Sequence, residues 1–127
     1  MSKRSFALLL VIAGVAVLAM TISSSAGATR EVTLVARGMA FYLEDDTTPN
    51  PTIHTRAGET IRLVLRNETP GVLHDLALNE LGVSIAPLKP GALGSVSLRV
   101  PSRPGAYDYV CRPHALMMRG RLLVDVE

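Results

Sequence analysis

Residues 104–127, PGAYDYVCRPHALMMRGRLLVDVE, contain two alternating patterns on either side of a short loop. Alternate positions of each pattern are aromatic or apolar, apart from one cysteine: Tyr107, Tyr109 and Cys111, and then Leu122, Val124 and Val126. Because successive side chains of a strand point to opposite faces, each set is predicted to face the core of a sheet. The stretch therefore predicts two half-buried strands joined by a cysteine-containing loop.

The same alternation recurs along the rest of the chain. Further predicted strands are EVTLVA (31–36), MAFYL (39–43), PTIHT (51–55), TIRLVLRN (60–67), LHDLAL (73–78) and SVSLRV (95–100). Sequences that combine Gly or Pro with polar residues separate them, among them NETPG and PSRPG, and such sequences are typical of turns. No segment after the N-terminal one has a helical period. The sequence predicts an all-β fold, an antiparallel sandwich or barrel.

The N-terminal residues 1–28 have the pattern of a secretory signal. Two basic residues precede an apolar run, FALLLVIAGVAVLAM (6–20), and an Ala-x-Ala sequence ends at Ala28. Cleavage there would leave a single domain, residues 29–127. The alternative is an uncleaved membrane anchor, although the run is at the short end for a membrane span. We expect an exported protein, periplasmic or extracytoplasmic, which contacts a membrane only if this segment is retained.

Charge and cysteine content exclude several classes of protein. The chain has 13 Lys and Arg against 11 Asp and Glu, but two of the basic residues lie in the signal segment, so the predicted domain is neutral. No basic block interleaved with aromatic residues is present, which argues against a nucleic-acid partner. The single cysteine cannot form a disulfide within the chain, so an exported protein needs another reason to contain it.

The loop after the first strand of the opening stretch carries sulfur and imidazole groups within eight residues: Cys111, His114, and the adjacent Met117 and Met118. One interpretation is packing, because cysteine and methionine are good core fillers. A second is a cysteine nucleophile with a histidine base, and a third is a metal site. Arg112 and Pro113 within the stretch favour a loop over a buried strand, which argues against simple packing.

The metal interpretation gains a further ligand from the strand LHDLAL. His74 shares the predicted inward face of that strand with Leu76 and Leu78, whereas Asp75 is predicted to point away from it. One thiolate, two imidazoles and a weak thioether suit copper, whereas structural zinc sites usually have four strong Cys or His ligands. His54 is out of phase with Ile53, so it is predicted to face solvent and not to bind the metal.

The segments LRNETPGVLHDL (65–76) and KPGALGSVSLRVPSRPGAYDYVCRPHALMMRG (89–120) resemble the cupredoxins, which include plastocyanin, amicyanin, pseudoazurin and azurin. The resemblance covers nearly all of residues 29–127. It implies a Greek-key sandwich with one copper ion at one end, bound by His74, Cys111 and His114. It also implies a monomeric one-electron carrier, not an enzyme, which docks other redox proteins near His114.

Two other classes of function compete with the electron carrier. Copper delivery, resistance or storage would use the same ligands. A copper enzyme would need further histidine-rich centres, and His54 is the only histidine left after His74 and His114 are assigned.

Strand phase predicts which methionine is the axial ligand. Counting back from Leu122 places Gly120 and Met118 on the inward face and Met117 on the outward face, at the exposed rim. Met118 is therefore the predicted fourth ligand, and Gly120 is expected to leave room beside the copper for the loop to close.

The chain departs from the cupredoxin pattern beside the ligands. Asp75 follows the first histidine, where the family often has an asparagine that braces the ligand loop. Arg112 follows the cysteine, where the family often has Ser or Thr. Groups that contact metal ligands tune the metal, so both departures are expected to affect the reduction potential.

Overall fold

The part of the chain that the computed structural model describes, residues 27–126, contains nine β-strands and two single turns of 3-10 helix. The strands are β1 (Arg30–Arg37), β2 (Ala40–Leu43), β3 (Thr52–Arg56), β4 (Thr60–Asn67), β5 (His74–Leu78), β6 (Val83–Leu88), β7 (Leu93–Arg99), β8 (Gly105–Val110) and β9 (Arg119–Asp125). The turns cover Asn79–Leu81 and Arg112–His114. Within the described residues, no helix has the length and apolar character needed to span a membrane. The predicted signal segment, residues 1–28, lies almost entirely outside them.

The described strands form two sheets, with the orders β2-β1-β4-β7 and β3-β9-β8-β5-β6. This arrangement confirms the predicted all-β sandwich. The expectation of antiparallel strands is wrong for two pairs, because β1 with β4 and β3 with β9 run parallel. A parallel pair requires a long crossover connection. Here the chain passes through β2 and then β3 in the other sheet before β4 returns to the side of β1.

The core lies between the two sheets and is built mainly from the predicted alternating positions. Its large, fully buried apolar side chains include Leu34, Phe41, Ile61, Leu63, Leu65, Leu76, Leu78, Tyr109 and Leu122. Val126 is an exception to the predicted phase: its side chain is 78% exposed, because β9 ends at Asp125. The alternation also does not predict β6, an edge strand that contains Pro87. Proline is tolerated at a sheet edge, where its missing N–H faces no partner.

The two ends of β1 lie at opposite ends of the sandwich. Its register with β4 runs from Arg30 opposite Ile61 to Ala36 opposite Asn67. A strand advances about 3.3 Å per residue, so these ends are about 20 Å apart. The Ala36 end is next to the predicted ligand residues, since the Thr69 hydroxyl lies 3.2 Å from the Ala36 carbonyl and 3.1 Å from the His74 ring.

Candidate metal centre

The structure brings the three predicted strong ligands together. His74 is the first residue of β5, Cys111 directly follows β8, and His114 closes the next 3-10 turn. The Cys111 sulfur lies 3.7 Å from Nδ1 of His74 and 3.4 Å from Nδ1 of His114. Candidate ligand atoms of all three residues lie within 4.8 Å of one another. His74 and Cys111 are buried, whereas His114 is half-buried, so the cluster reaches the surface through His114.

Backbone hydrogen bonds fold the ligand loop, residues 111–118, back on itself. The His114 N–H donates to the Cys111 carbonyl at 3.0 Å, which closes the 3-10 turn after Pro113. The Met118 N–H donates to the His114 carbonyl at 2.8 Å, and the Cys111 N–H donates to the Met118 carbonyl at 3.0 Å. These bonds bring the backbones of Cys111, His114 and Met118 close together and restrict opening of the loop.

The Thr69 hydroxyl contacts the His74 ring and orients it. Nε2 of His74 lies 3.1 Å from the Thr69 hydroxyl oxygen, whose proton can donate to the Ala36 carbonyl at 3.2 Å. The hydroxyl then accepts from Nε2–H, which leaves Nδ1 unprotonated and facing the Cys111 sulfur. Burial lowers the pKa of His74, and the nearby His114 lowers it further. Both effects favour the neutral imidazole, whose Nδ1 faces the Cys111 sulfur.

Burial has the opposite effect on the thiol. It raises the pKa of Cys111, because the thiolate is the charged form and is poorly solvated there. Metal ligation requires the thiolate, so binding of a metal at neutral pH must release the Cys111 proton. This proton release links metal affinity to pH.

The two methionines lie on the predicted sides of the chain. Met118 is completely buried and belongs to the same apolar cluster as Cys111, whereas the Met117 side chain is 56% exposed. The phase argument for an inward Met118 is therefore confirmed. Its role as a ligand stays a prediction.

The expected role of Gly120 needs a correction. A side chain at Gly120 would collide with the ring of Tyr109, the residue opposite it in the β8–β9 ladder. The space above Gly120 is thus filled by Tyr109 and is not a gap beside the metal. Tyr109 is itself held by a hydrogen bond from its hydroxyl to the Pro51 carbonyl and by an edge contact with Phe41.

Asp75 points away from the core, as predicted, but its burial was not predicted. Asp75 is buried although it lies on the face opposite to the core, because the ligand loop covers that face. Its carboxylate accepts from the Arg112 N–H at 2.8 Å and from Arg112 Nε at 2.6 Å. The two departures from the cupredoxin pattern are therefore partners in one ion pair. Their joint occurrence beside two ligands was the sequence signal that could have indicated this pairing.

Asn50 is a contact of the ligand loop that sequence reasoning missed. It lies near the end of the acidic loop LEDDTTPNP (43–51). Its side-chain amide donates to the Met117 carbonyl at 2.9 Å, and its side-chain oxygen accepts from the Phe41 N–H at 3.1 Å. A bond to the residue before Met118 places Asn50 where it can position that methionine.

His54 faces solvent, as its strand phase predicts. Its side chain is 65% exposed, and Nδ1 lies 3.4 Å from the Asp125 carboxylate. It does not belong to the group of donors around Cys111.

The donor geometry fits a mononuclear copper site. Metal–sulfur bonds of about 2.3 Å and metal–imidazole bonds of about 2.0 Å, the lengths known from zinc, place sulfur and nitrogen about 3.7 Å apart around a trigonal centre. The two sulfur–nitrogen distances here are 3.7 and 3.4 Å. Three strong donors with a buried thioether nearby match copper rather than structural zinc.

Comparison with known proteins gives structural matches only. No protein-family profile and no curated protein sequence matches the chain. Auracyanin B superposes with a TM-score of 0.61 and 26% sequence identity, over 76% of this chain and 89% of that chain. Auracyanin A from Chloroflexus aurantiacus, described as a "blue" copper protein, gives a TM-score of 0.60 at 16% identity, over 76% of this chain and 99% of that chain. The fold and the cysteine–histidine cluster confirm the resemblance to the cupredoxins.

Copper enzymes also contain this fold. The Cu-containing nitrite reductase from Thermus scotoductus superposes with a TM-score of 0.60 at 22% identity, over 77% of this chain but only 28% of that chain. The fold alone therefore does not separate a carrier from part of an enzyme.

Proposed function

We propose that this protein is an exported one-electron carrier with a single copper ion bound by His74, Cys111, His114 and, more weakly, Met118. The observation that supports this most directly is the approach of the Cys111 sulfur to Nδ1 of both histidines. When bound, copper supplies a centre that alternates between its two oxidation states. The protein holds the donors in place, through Thr69 behind His74 and through the bonds within the ligand loop.

The surface around His114 suits transient docking of another redox protein. Leu116 and Met117, the residues after Ala115 in the ligand loop, are exposed, and so are Leu73 and Met39 at the same end of the sandwich. Exposed apolar patches of this kind mark interaction sites. An electron would leave through His114, because it is the donor that is not fully buried.

Copper delivery or storage is the second candidate function. It would need a site that releases copper readily, whereas two of the three strong donors here are buried. The tight backbone bonding of the loop also favours a site that keeps its metal. We further propose that the protein is not an enzyme by itself, because only His54 remains for any second copper centre.

The site is tested by the visible spectrum of the Cu(II)-loaded protein. We expect an intense thiolate-to-copper band in the wild type, its loss in Cys111→Ser, and its retention in Met117→Leu, which changes an exposed neighbour. A band of unchanged intensity in Cys111→Ser would refute the assignment. Reversible one-electron voltammetry together with slow copper loss to a chelator supports a carrier, whereas rapid loss supports delivery.

Export is tested separately. We propose that residues 1–28 are removed and that the functional domain, residues 29–127, begins near Thr29 in an extracytoplasmic compartment. Mass measurement of the protein purified from its native host should give a chain that starts there. An intact N-terminus in the membrane fraction would instead support an anchored carrier.

A further inference from the structure

The pair formed by Asp75 and Arg112 connects the two segments that carry the buried ligands. Asp75 directly follows His74 and Arg112 directly follows Cys111. The carboxylate accepts both the backbone N–H and Nε of Arg112, at 2.8 and 2.6 Å. Bonds to a charged acceptor are stronger than neutral ones. The pair therefore fixes the start of the ligand loop against β5.

The two charges of the pair are not equally exposed to water. The Asp75 side chain is 2% exposed, whereas that of Arg112 is 50% exposed. Water screens the guanidinium strongly and the carboxylate weakly, because the effective dielectric constant is lower at a buried position. The negative charge is consequently the larger influence on a metal bound at the adjacent residues, and Arg112 offsets only part of it.

We infer that Asp75 is a positioning residue whose buried charge also favours the oxidised, more positive copper ion, and that Arg112 is its partial counter-charge. This inference rests on the proposed function. An asparagine at position 75 would provide the same bond to the Arg112 N–H without the charge. Comparison of Asp75 with asparagine therefore separates two effects. The bond to the Arg112 N–H is common to both residues, whereas the negative charge is specific to the carboxylate.

The test compares the reduction potentials of Asp75→Asn and Arg112→Gln with that of the wild type. Asp75→Asn should raise the reduction potential by at least about 59 mV. For a one-electron couple, this shift corresponds to a tenfold change in the ratio of the Cu(II) and Cu(I) affinities. Arg112→Gln should lower it, because the carboxylate then loses its counter-charge. If the pair only held the loop in place, the two substitutions would not be expected to shift the reduction potential in opposite directions. Shifts in the same direction, or no shift in Asp75→Asn, would overturn the inference.

A control pair lies at the opposite end of the sandwich. Arg30 and Glu59 also meet at 2.6 Å, and Glu59→Gln should leave the potential unchanged. In the metal-free protein, Arg112→Gln should lower the unfolding midpoint more than Arg30→Gln, because it leaves a buried carboxylate unpaired. Equal losses in the two variants would contradict the burial argument without any use of copper.

A double variant keeps the test decisive if Arg112→Gln does not fold. Asp75→Asn/Arg112→Gln buries no charge, and its affinity ratio should lie within threefold of that of Asp75→Asn, since the guanidinium is screened by water. A larger difference would contradict the inference. Failure of the wild type to show a thiolate-to-copper band would refute the proposed function, whereas an intact band with unaltered potentials would refute this inference alone.

Discussion

Replacement of Gly120 by alanine should destabilise the protein strongly, although alanine is normally the better residue within a strand. The added Cβ would lie 2.2 Å from both Cζ and Oη of Tyr109. Carbon atoms in contact are normally about 3.5–4.0 Å apart, so the ring would have to move by more than about 1 Å. The ring cannot move that far and keep both its hydrogen bond to Pro51 and its contact with Phe41.

The size of the effect follows from these contacts. Overpacking costs about 1–3 kcal/mol, and loss of the hydrogen bond would leave the buried Pro51 carbonyl unpaired at a cost of about 1–3 kcal/mol. The gain from replacing a glycine within a strand offsets about 0.5–1 kcal/mol. These ranges combine to a net loss of about 1–5 kcal/mol, which for a domain of about 100 residues lowers the melting temperature by roughly 5–40 °C.

Thermal and urea unfolding of the metal-free protein measure this loss, and a double-mutant cycle tests its cause. In a Tyr109→Leu background the same Gly120→Ala change should cost less than about 1 kcal/mol, since the ring it collides with is gone. An equal loss in both backgrounds would refute the steric reasoning.

Gly94→Ala is the matched control, because it is also a glycine within a strand. Its Cβ would meet Ile85 Cγ2 at 2.6 Å and Leu88 Cδ2 at 3.1 Å. The nearest approach, 2.6 Å, is longer than the 2.2 Å at Gly120, and Leu88 Cδ2 is the end of a flexible side chain at the edge of the sheet, so the loss of stability should be smaller than for Gly120→Ala.

Three further predictions concern the ligands and the histidines. Met118→Leu should shift the reduction potential and band shape without loss of copper, whereas Met117→Leu should change neither; the opposite result would show that Met117 is the axial ligand. His54→Ala should still bind one copper per chain, as measured by metal analysis. Loss of that copper would contradict the prediction that His54 does not bind the metal. In the metal-free protein, the pKa of His74 is lowered by burial, so the unfolded chain binds a proton that the folded chain does not. Stability should therefore fall as pH drops below the ordinary histidine pKa of about 6.5. Urea unfolding of His74→Gln should lose this dependence and His54→Gln should keep it; the same dependence in both variants would exclude His74 as the cause.

The strong donors could be predicted because their local signals agree. Alternation places Cys111 and His74 on inward faces at the ends of their strands, and the spacing to His114 needs only one short turn. The strand phase that buries Leu122 also buries Met118, since β9 continues to Arg119 without a bulge. At each of these positions the information lies within a few residues of sequence.

The positioning contacts could not be predicted because they depend on distant parts of the chain. Arg112 is 37 residues from Asp75, and Met117 is 67 residues from Asn50. The alternation of side chains in the strand correctly places Asp75 on the face away from the core. It does not show that the ligand loop covers that face. Likewise, the sequence shows that Gly120 is small, while only the register of β8 and β9 shows that Tyr109 requires it to be small.

The position of β1 places the N-terminal end of the domain and the candidate metal centre at opposite ends of the sandwich. Arg30 lies about 20 Å from the end of β1 that adjoins Thr69 and His74, by the rise of a strand. A label, a bead or a membrane joined to the chain ahead of Thr29 would therefore stand at the end opposite to His114 and Leu116. A protein immobilised in this way on an electrode would turn the ligand loop towards the solution. On the proposed function, it would exchange electrons readily with a diffusing partner and slowly with the electrode, and attachment through the ligand loop would reverse that preference.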